Sequence, residues 1–288
     1  MRKDRIVWVD LARTLAITLI VGFHLLYEIN PDQVFRPIGF VGASLFFIIS
    51  GFMLAKAYPN LTAFNFDWIK KRYLKIASLY YPALVTIILL FGTQTYFKGF
   101  YDLALHFLFL NSISHDTAYS IISPAWFLVP MMALYVLYPF LNRLLKKQGF
   151  FLAIVVILAA INRLMELSLV SFSPVFFLSE FCFGITVAHG RKDVWLLAPL
   201  LLGIVQPVMV LPYIIFYVLV KFEPIFLQRL FSTIGNRTFE IFLFHESFMM
   251  VVLGKWSIYG LDTITSTFFL LLSFVLVIML SEKLQKKL

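Results

Sequence analysis

The feature that most constrains this chain is a series of apolar runs, several of them close to 20 residues long. A helix of about 20 apolar residues crosses the roughly 30 Å hydrocarbon core of a bilayer. The chain is 61% hydrophobic and only 14% charged, whereas about a quarter of the residues in a soluble domain are charged. This composition excludes a soluble protein, and the runs predict an all-α, polytopic transmembrane helix bundle.

We predict about ten spans, of which the seventh and eighth are weakest because Pro207 and Pro212 interrupt one apolar stretch. The predicted spans are Ile6–Tyr27, Ile38–Ala57, Ile76–Gln94, Ala125–Leu144, Phe150–Met165, Pro174–His189, Val194–Val208, Met209–Lys221, Thr238–Lys255 and Ile264–Ser281. The chain shows no sign of an appended soluble domain, so residues 1–288 are expected to form a single transmembrane domain.

The positions of Lys and Arg predict the orientation of this bundle. Cytoplasmic loops carry an excess of these residues, and here most of the 24 Lys and Arg fall in alternate loops. A cytoplasmic cluster at Lys70 to Lys75 then places both termini in the cytoplasm. The net charge of +9 is explained by this topology rather than by nucleic-acid binding. The expected location is the cytoplasmic membrane.

Four polar residues fall on one face of the first span: Asp10, Arg13, His24 and Glu28. Ionisable residues inside a membrane are costly and by default mark a functional site in the bundle interior. Two structural alternatives stay open at this point. Arg13 could simply pair with Asp10, and His24 could hydrogen-bond between helices.

Two further segments attract attention. Ser50 and Gly51 in the second span are expected at the depth of Arg13, where small residues permit close approach of a neighbouring helix or of a ligand. In the longest predicted outer segment, Leu103–Asn111 is too short to span and predicts an interfacial or re-entrant element. His106 and Asn111 are expected to be exposed there.

Several short motifs resemble, in order, those of the acyltransferase 3 family of polytopic membrane O-acyltransferases. Val9–Ala16 followed by His24 is similar to its opening helix, including the spacing of arginine, ten residues and histidine. Phe46–Phe52 resembles a second signature. The similarities to its basic, tryptophan and histidine motifs are at Arg72–Lys75, Trp126–Leu128 and Phe242–His245.

The resemblance implies transfer of an acyl group, commonly acetyl, from cytoplasmic acyl-CoA to a hydroxyl of a surface or lipid-linked glycan at the outer face. Acetyl-CoA is then a donor substrate, and we expect neither a tightly bound cofactor nor a metal. The expected partners are acyl-CoA, the glycan and the bilayer. Two residues depart from the family pattern, since Lys75 and Ala77 stand where arginine and proline are usual.

We predict that His24 is the general base for the acceptor hydroxyl, because an imidazole suits proton removal near neutral pH. A covalent acyl-histidine step stays open. Glu28 or Glu180 is expected to orient the imidazole. The residues predicted on the donor side are Asp10, Arg13, Ser50, Arg72, Lys75 and His245. Asn111 and Trp126 are predicted on the acceptor side, and Trp126 could instead be an interfacial belt residue.

A transporter is the main alternative to an enzyme. Arg13, Glu180 and His24 would then line a pathway for a glycan or a lipid-linked intermediate. An inverted internal repeat would favour this alternative, and none is visible in the sequence. A scaffold in an envelope assembly would explain the hydrophobicity but not the polar face of the first span.

Overall fold

The computed structural model describes residues 6–92, 94–95, 97–147, 150–164, 173–191, 197–222 and 228–286. Within these ranges the regular structure is helical and contains no strand, which confirms the all-α prediction. The α-helices are α1 (Val7–Ile29), α2 (Arg36–Ala57), α3 (Phe66–Phe91), α4 (Phe100–Phe107), α5 (His115–Ala118), α6 (Leu128–Lys147), α7 (Phe150–Leu164), α8 (Leu178–Ala188), α9 (Leu197–Val205), α10 (Leu211–Phe222), α11 (Gln228–Asn236), α12 (Thr238–Val252) and α13 (Thr263–Gln285).

Five helical segments in the described ranges are long and apolar enough to cross a membrane. They are Trp8–Ile29, Arg36–Ala57, Phe66–Phe91, Ser123–Lys147 and Thr263–Gln285. Three further apolar helices are shorter, with 10 to 17 residues, and are Phe150–Leu164, Leu178–Ala188 and Pro207–Phe222. The architecture is therefore that of a helical membrane protein, while the count of about ten spans stays a prediction.

The largest difference from the predicted boundaries concerns α3, which begins at Phe66 rather than at Ile76. Asn65 caps its first turn, because the Asn65 side chain accepts a hydrogen bond from the Trp68 N–H at 2.9 Å. Helical turns that lie beyond the hydrocarbon core can contain charged residues. A hydropathy criterion does not detect such turns. The basic cluster Lys70–Lys75 therefore lies on a helix and not in a loop, which corrects the prediction.

Two other boundaries need comment. α11 occupies a segment that was predicted to be a loop, and its Gly235 packs against α1. Met165, the predicted end of the fifth span, and Val194, the predicted start of the seventh, lie outside the described residues.

The chain divides into two compact units, each formed by two separate stretches. Unit 1 consists of Met1–Phe64 and Val136–Thr238, and unit 2 of Asn65–Tyr135 and Phe239–Leu288. The boundary at Val136 falls within α6. Since both units combine distant parts of the sequence, neither corresponds to a contiguous domain.

In unit 1, α2 packs closely against both α1 and α8. A Cβ atom on Gly42 would clash with the Ala16 carbonyl oxygen of α1. On the other side, a Cβ on Gly51 would clash with the Phe181 carbonyl oxygen, and one on Gly184 with that of Ile48. Small residues let membrane helices approach closely, and these three glycines therefore set the spacing of the helices that carry the polar residues described below.

In unit 2, α3 and α13 run antiparallel. Gln285 near the end of α13 donates a hydrogen bond to the Ser78 hydroxyl of α3 at 3.1 Å. Before the start of α13, the Tyr259 hydroxyl donates to the Leu89 carbonyl oxygen at 2.5 Å. The short helix α4 and the segment after it also pack on α3, through contacts of Tyr80 and Tyr81.

Candidate functional site

The polar residues of α1 begin with Asp10 and Arg13. Asp10 is buried, and Arg13 lies 3.7 Å from its carboxylate while its side chain stays 34% exposed. The Thr14 hydroxyl contacts both the Asp10 and the Phe231 carbonyl oxygens, at 2.9 and 3.0 Å. The pairing of Arg13 with Asp10, an alternative that the sequence left open, is present in the structure. This end of α1 packs closely against α11 through Thr14 and Asp10.

His24 and Glu28 lie further along α1, one helical turn apart. Both side chains are half-buried. The imidazole of His24 contacts the neighbouring Phe23 ring, with 4.9 Å between the ring centroids. His24 lies about 16 Å beyond Arg13 along the helix axis. A long, narrow substrate would therefore be needed to reach both residues.

The sequence left open whether a neighbouring helix or a ligand approaches Ser50 and Gly51 on α2. Gly51 is buried and faces the backbone of α8 at Phe181, so the close approach at this residue is made by a helix and not by a ligand. Ser50 is half-buried beside it. A donor-side role for Ser50 stays a prediction.

Glu180 on α8 is fully buried in unit 1 and has partners at both carboxylate oxygens. Its Oε1 atom accepts from Arg163 at 2.6 Å and from Ser44 at 3.3 Å, and its Oε2 atom accepts from Ser179 at 2.7 Å. Arg163 also donates to the Phe176 carbonyl oxygen at 3.0 Å. These contacts favour a structural role for Glu180 over the predicted orientation of a catalytic imidazole.

Arg72 and Lys75 lie in the first turns of α3, in unit 2. The guanidinium of Arg72 stacks on the Trp68 ring at 5.6 Å, which limits its freedom. Lys75 is exposed, and its backbone carbonyl accepts a hydrogen bond from Ser78. The arrangement presents two positive side chains in the first turns of a long, mostly apolar helix, and such side chains suit phosphate binding.

Trp126 and His245 are also in unit 2. Trp126 is half-buried in a 3₁₀ turn, Ser123–Phe127, that leads into α6. His245 is buried on α12, where its Nδ1 atom lies 2.8 Å from the Phe242 carbonyl oxygen. The ring of Phe242 packs against that of Phe127 at 5.4 Å. The tryptophan and histidine motifs are thus joined through their neighbouring phenylalanines.

The predicted exposure of His106 and Asn111 is wrong, because both residues are fully buried. Asn111 donates to the Ala118 carbonyl oxygen at 3.4 Å and accepts, through its backbone carbonyl, from Thr117 at 2.7 Å. The segment folds back on itself instead of lying open at the surface. A glycan could reach Asn111 only if this segment opened, so the burial argues against its acceptor-side role.

His106 belongs to a buried cluster that the sequence reasoning missed. Its Nε2 atom lies 3.0 Å from the Ser120 hydroxyl, which donates to Asp102 Oδ1 at 2.6 Å. Its Nδ1 atom lies 2.6 Å from the Tyr80 hydroxyl of α3. The spacing of Asp102 and His106, four residues apart and therefore on one face of a helix, was the available signal.

The directions of these hydrogen bonds follow from the carboxylate, which only accepts. Ser120 therefore gives its proton to Asp102, and its oxygen accepts from the His106 Nε2–H. In a neutral imidazole that carries its proton on Nε2, the Nδ1 atom accepts from Tyr80. This order requires a neutral imidazole, and burial accordingly lowers the pKa of His106 to about 4, against the opposing charge of Asp102.

The described residues contain no group of three or more His, Cys, Asp or Glu side chains that could hold a metal ion. The predicted site residues divide between the two units. Asp10, Arg13, His24, Glu28, Ser50 and Glu180 are in unit 1, and Arg72, Lys75, Asn111, Trp126 and His245 are in unit 2. Within unit 1, Asp10 and Arg13 form an ion pair.

A family model described as an acyltransferase domain matches residues 6–205. No curated protein and no solved structure matches the chain. The match, together with the long apolar helices, defines a membrane acyltransferase. The chain belongs to the acyltransferase 3 family, and the matched range includes the polar residues of α1, the basic cluster of α3 and Trp126, whereas His245 lies beyond it.

Proposed function

We propose that the protein is a membrane O-acyltransferase of the cytoplasmic membrane, with both termini in the cytoplasm. It moves an acyl group, acetyl in the simplest case, from cytoplasmic acyl-CoA to a hydroxyl of a cell-surface or lipid-linked carbohydrate at the outer face. The observation that carries the proposal is the half-buried His24, on the same helix as the Asp10–Arg13 pair, in a chain of an acyltransferase family.

The proposed chemistry uses His24 as a general base. The acceptor hydroxyl gives its proton to the imidazole as its oxygen attacks the thioester carbonyl carbon. The new C–O bond forms, the C–S bond breaks, and the proton passes from the imidazolium to the CoA sulfur. Glu28, one turn beyond His24, stabilises the transient imidazolium.

The donor is proposed to enter from the end of α3 that carries Arg72 and Lys75. A clustered positive charge attracts the CoA phosphates, and Arg72 offers a planar, preoriented fork for them. Arg13 and Ser50 then contact the narrow pantetheine arm, and His245 supports the donor side from α12. Trp126 is proposed on the acceptor side, where an aromatic face suits a sugar ring.

The role of His24 is tested with His24→Gln in membranes of cells that express the chain. Radiolabelled acetyl-CoA is supplied, and label in the carbohydrate fraction and release of CoA thiol are measured. We expect at least a hundredfold loss of transfer, as removal of a general base gives. His189→Gln is the matched control, since His189 is a half-buried histidine of unit 1 that bonds Asn142 instead.

Transfer that persists in His24→Gln, at the level of the His189→Gln control, would remove His24 from the chemistry.

The donor site is tested separately by calorimetric titration of acetyl-CoA and CoA into the purified protein. Arg72→Ala should weaken binding about tenfold or more, as loss of a charge-assisted contact predicts. Arg143→Ala, an exposed arginine of α6, should not. A folded wild-type protein that binds no CoA would favour the transporter.

A further inference from the structure

A groove of about 750 Å³ lies between α3 and α13 of unit 2. Most of its surface is apolar. The apolar side chains that line it include Leu74, Ala77, Pro82, Val85, Leu276 and Leu280. Val85, Leu276 and Leu280 are each between 46% and 56% exposed, so the groove is open along its side. Both helices are candidate membrane spans, so we infer that the opening faces hydrocarbon.

The polar groups of the groove are largely engaged by the protein itself. The Ser78 hydroxyl donates to the Lys75 carbonyl oxygen at 3.0 Å and accepts from Gln285. The Tyr81 hydroxyl donates to the Phe107 carbonyl oxygen at 2.6 Å and also pairs with the Tyr73 hydroxyl. These groups are satisfied without a ligand, so the surface that remains suits a hydrocarbon chain rather than a sugar.

The length of the groove matches one leaflet of a bilayer. Its α3 lining extends from Tyr73 to Thr86, which corresponds to about 20 Å of helix. One leaflet contributes about 15 Å of hydrocarbon, half of the roughly 30 Å core. The groove is therefore long enough to hold a single acyl chain of a membrane lipid.

One end of the groove is strongly basic. Lys70 and Lys71 precede Leu74 by one helical turn, and Lys283 follows Leu280 by three residues, so all three continue the groove-facing side of their helices. These lysines are exposed, and further positive charges follow at Arg72, Lys75 and Lys286. Only Asp67 and Glu282 oppose them on the same turns.

We propose that this groove binds an acidic phospholipid, with one acyl chain along α3 and α13 and the phosphate at Lys70, Lys71 and Lys283. Clusters of basic residues beside membrane helices attract anionic headgroups. The apolar, side-open lining selects a lipid that enters from the bilayer. The lining of the groove contains none of the residues assigned to the chemistry at His24, and its basic end adjoins the proposed donor-side residues Arg72 and Lys75.

The test uses the purified full-length protein in a neutral detergent. Phosphatidylglycerol and phosphatidylcholine with identical acyl chains are titrated, and bound lipid is counted by native mass spectrometry. We expect phosphatidylglycerol to bind about tenfold more tightly, with the preference lost in the double variant Lys71→Gln/Lys283→Gln. Arg143→Gln/Lys147→Gln removes two exposed charges from α6 and should keep the preference.

A second pair of variants tests whether the groove binds the acyl chain of the lipid. Leu276→Trp places a large side chain in the groove and should lower phosphatidylglycerol binding several-fold. Leu271→Trp changes an exposed leucine on the opposite face of α13 and should not. Equal binding of the two lipids, or equal losses in both members of either pair, would overturn the proposal. A competition experiment with isotope-labelled phosphatidylglycerol provides a further test. The proposal is overturned as well if palmitoyl-CoA displaces the labelled lipid more readily than unlabelled phosphatidylglycerol does.

Discussion

Each unit contains a buried polar cluster, and the two clusters differ in how many charges they hold. In unit 1, Arg163 and Glu180 form a buried ion pair with 2.6 Å between charged atoms. In unit 2, Tyr80, His106 and Ser120 form a chain of hydrogen bonds that ends at the Asp102 carboxylate. The first cluster depends on two charges that compensate each other. The second depends on the imidazole of His106 remaining neutral.

This difference means that the clusters should fail under different conditions. A buried ion pair is strongly destabilised when one partner is removed, because the remaining charge is left in a low-dielectric interior. The chain of hydrogen bonds in unit 2 is sensitive to protonation of its buried histidine. The distinction gives three expectations for the stability of the protein in detergent.

The largest effect is expected for Glu180→Leu, which leaves the buried Arg163 without its carboxylate. We expect the free energy of unfolding to fall by about 3–5 kcal/mol. It is measured by denaturant-induced unfolding, followed by circular dichroism. The double variant Arg163→Leu/Glu180→Leu should recover most of the loss, because it removes both charges. A double variant less stable than Glu180→Leu would contradict the ion-pair interpretation.

A smaller effect is expected when the pH falls, through His106. Its pKa in the folded protein, about 4, lies below the usual value near 6.5. The unfolded chain therefore takes up the proton first, and the stability present above pH 6.5 is lost as the pH falls towards 4. Between pH 7.5 and pH 5 the loss should be about 2 kcal/mol.

His106→Gln is the control for this expectation. It should remove the contribution of His106, about 2 kcal/mol between pH 7.5 and pH 5, from the dependence of the unfolding free energy on pH, whatever its effect at neutral pH. If the variant and the wild-type protein lose stability in parallel, another group is responsible. A wild-type protein that gains stability on acidification would show that His106 is charged in the fold.

The smallest effect is expected at the surface of the same segment, for Lys98→Ala. Lys98 lies 3.8 Å from Asp116, and both side chains are well exposed, at 48% and 81%. Exposed ion pairs contribute little, so the unfolding free energy should change by less than about 0.5 kcal/mol. A loss of the size expected for Glu180→Leu would show that charge pairing stabilises both units alike.

Much of the fold followed from local patterns. The apolar runs predicted α1, α2, α6 and α13 to within a few residues, because burial in lipid requires continuous apolar sequence. The start of α3 was missed, because its first turns are polar and are instead specified by the Asn65 cap. Hydropathy identifies the part of a helix that suits the hydrocarbon core, whereas the helix itself can continue beyond that part.

The candidate site was predicted less evenly. The pairing of Asp10 with Arg13 followed from their spacing of three residues on one helix. The partner of Glu180 did not, because Arg163 lies on another helix and the two residues meet only when α7 packs on α8. The burial of His106 and Asn111 was missed for the same reason, since an isolated short segment gives no indication of what covers it.

By itself, the sequence determined that this chain is a helical membrane protein with ionisable residues on one face of its first span, because both properties are periodic and local. The tertiary structure decided which helix approaches Gly51, which carboxylate neutralises Arg163 and where a lipid-sized groove opens between α3 and α13. Each of these depends on residues far apart in the chain. Such contacts exist only after the helices have packed, which no local pattern encodes.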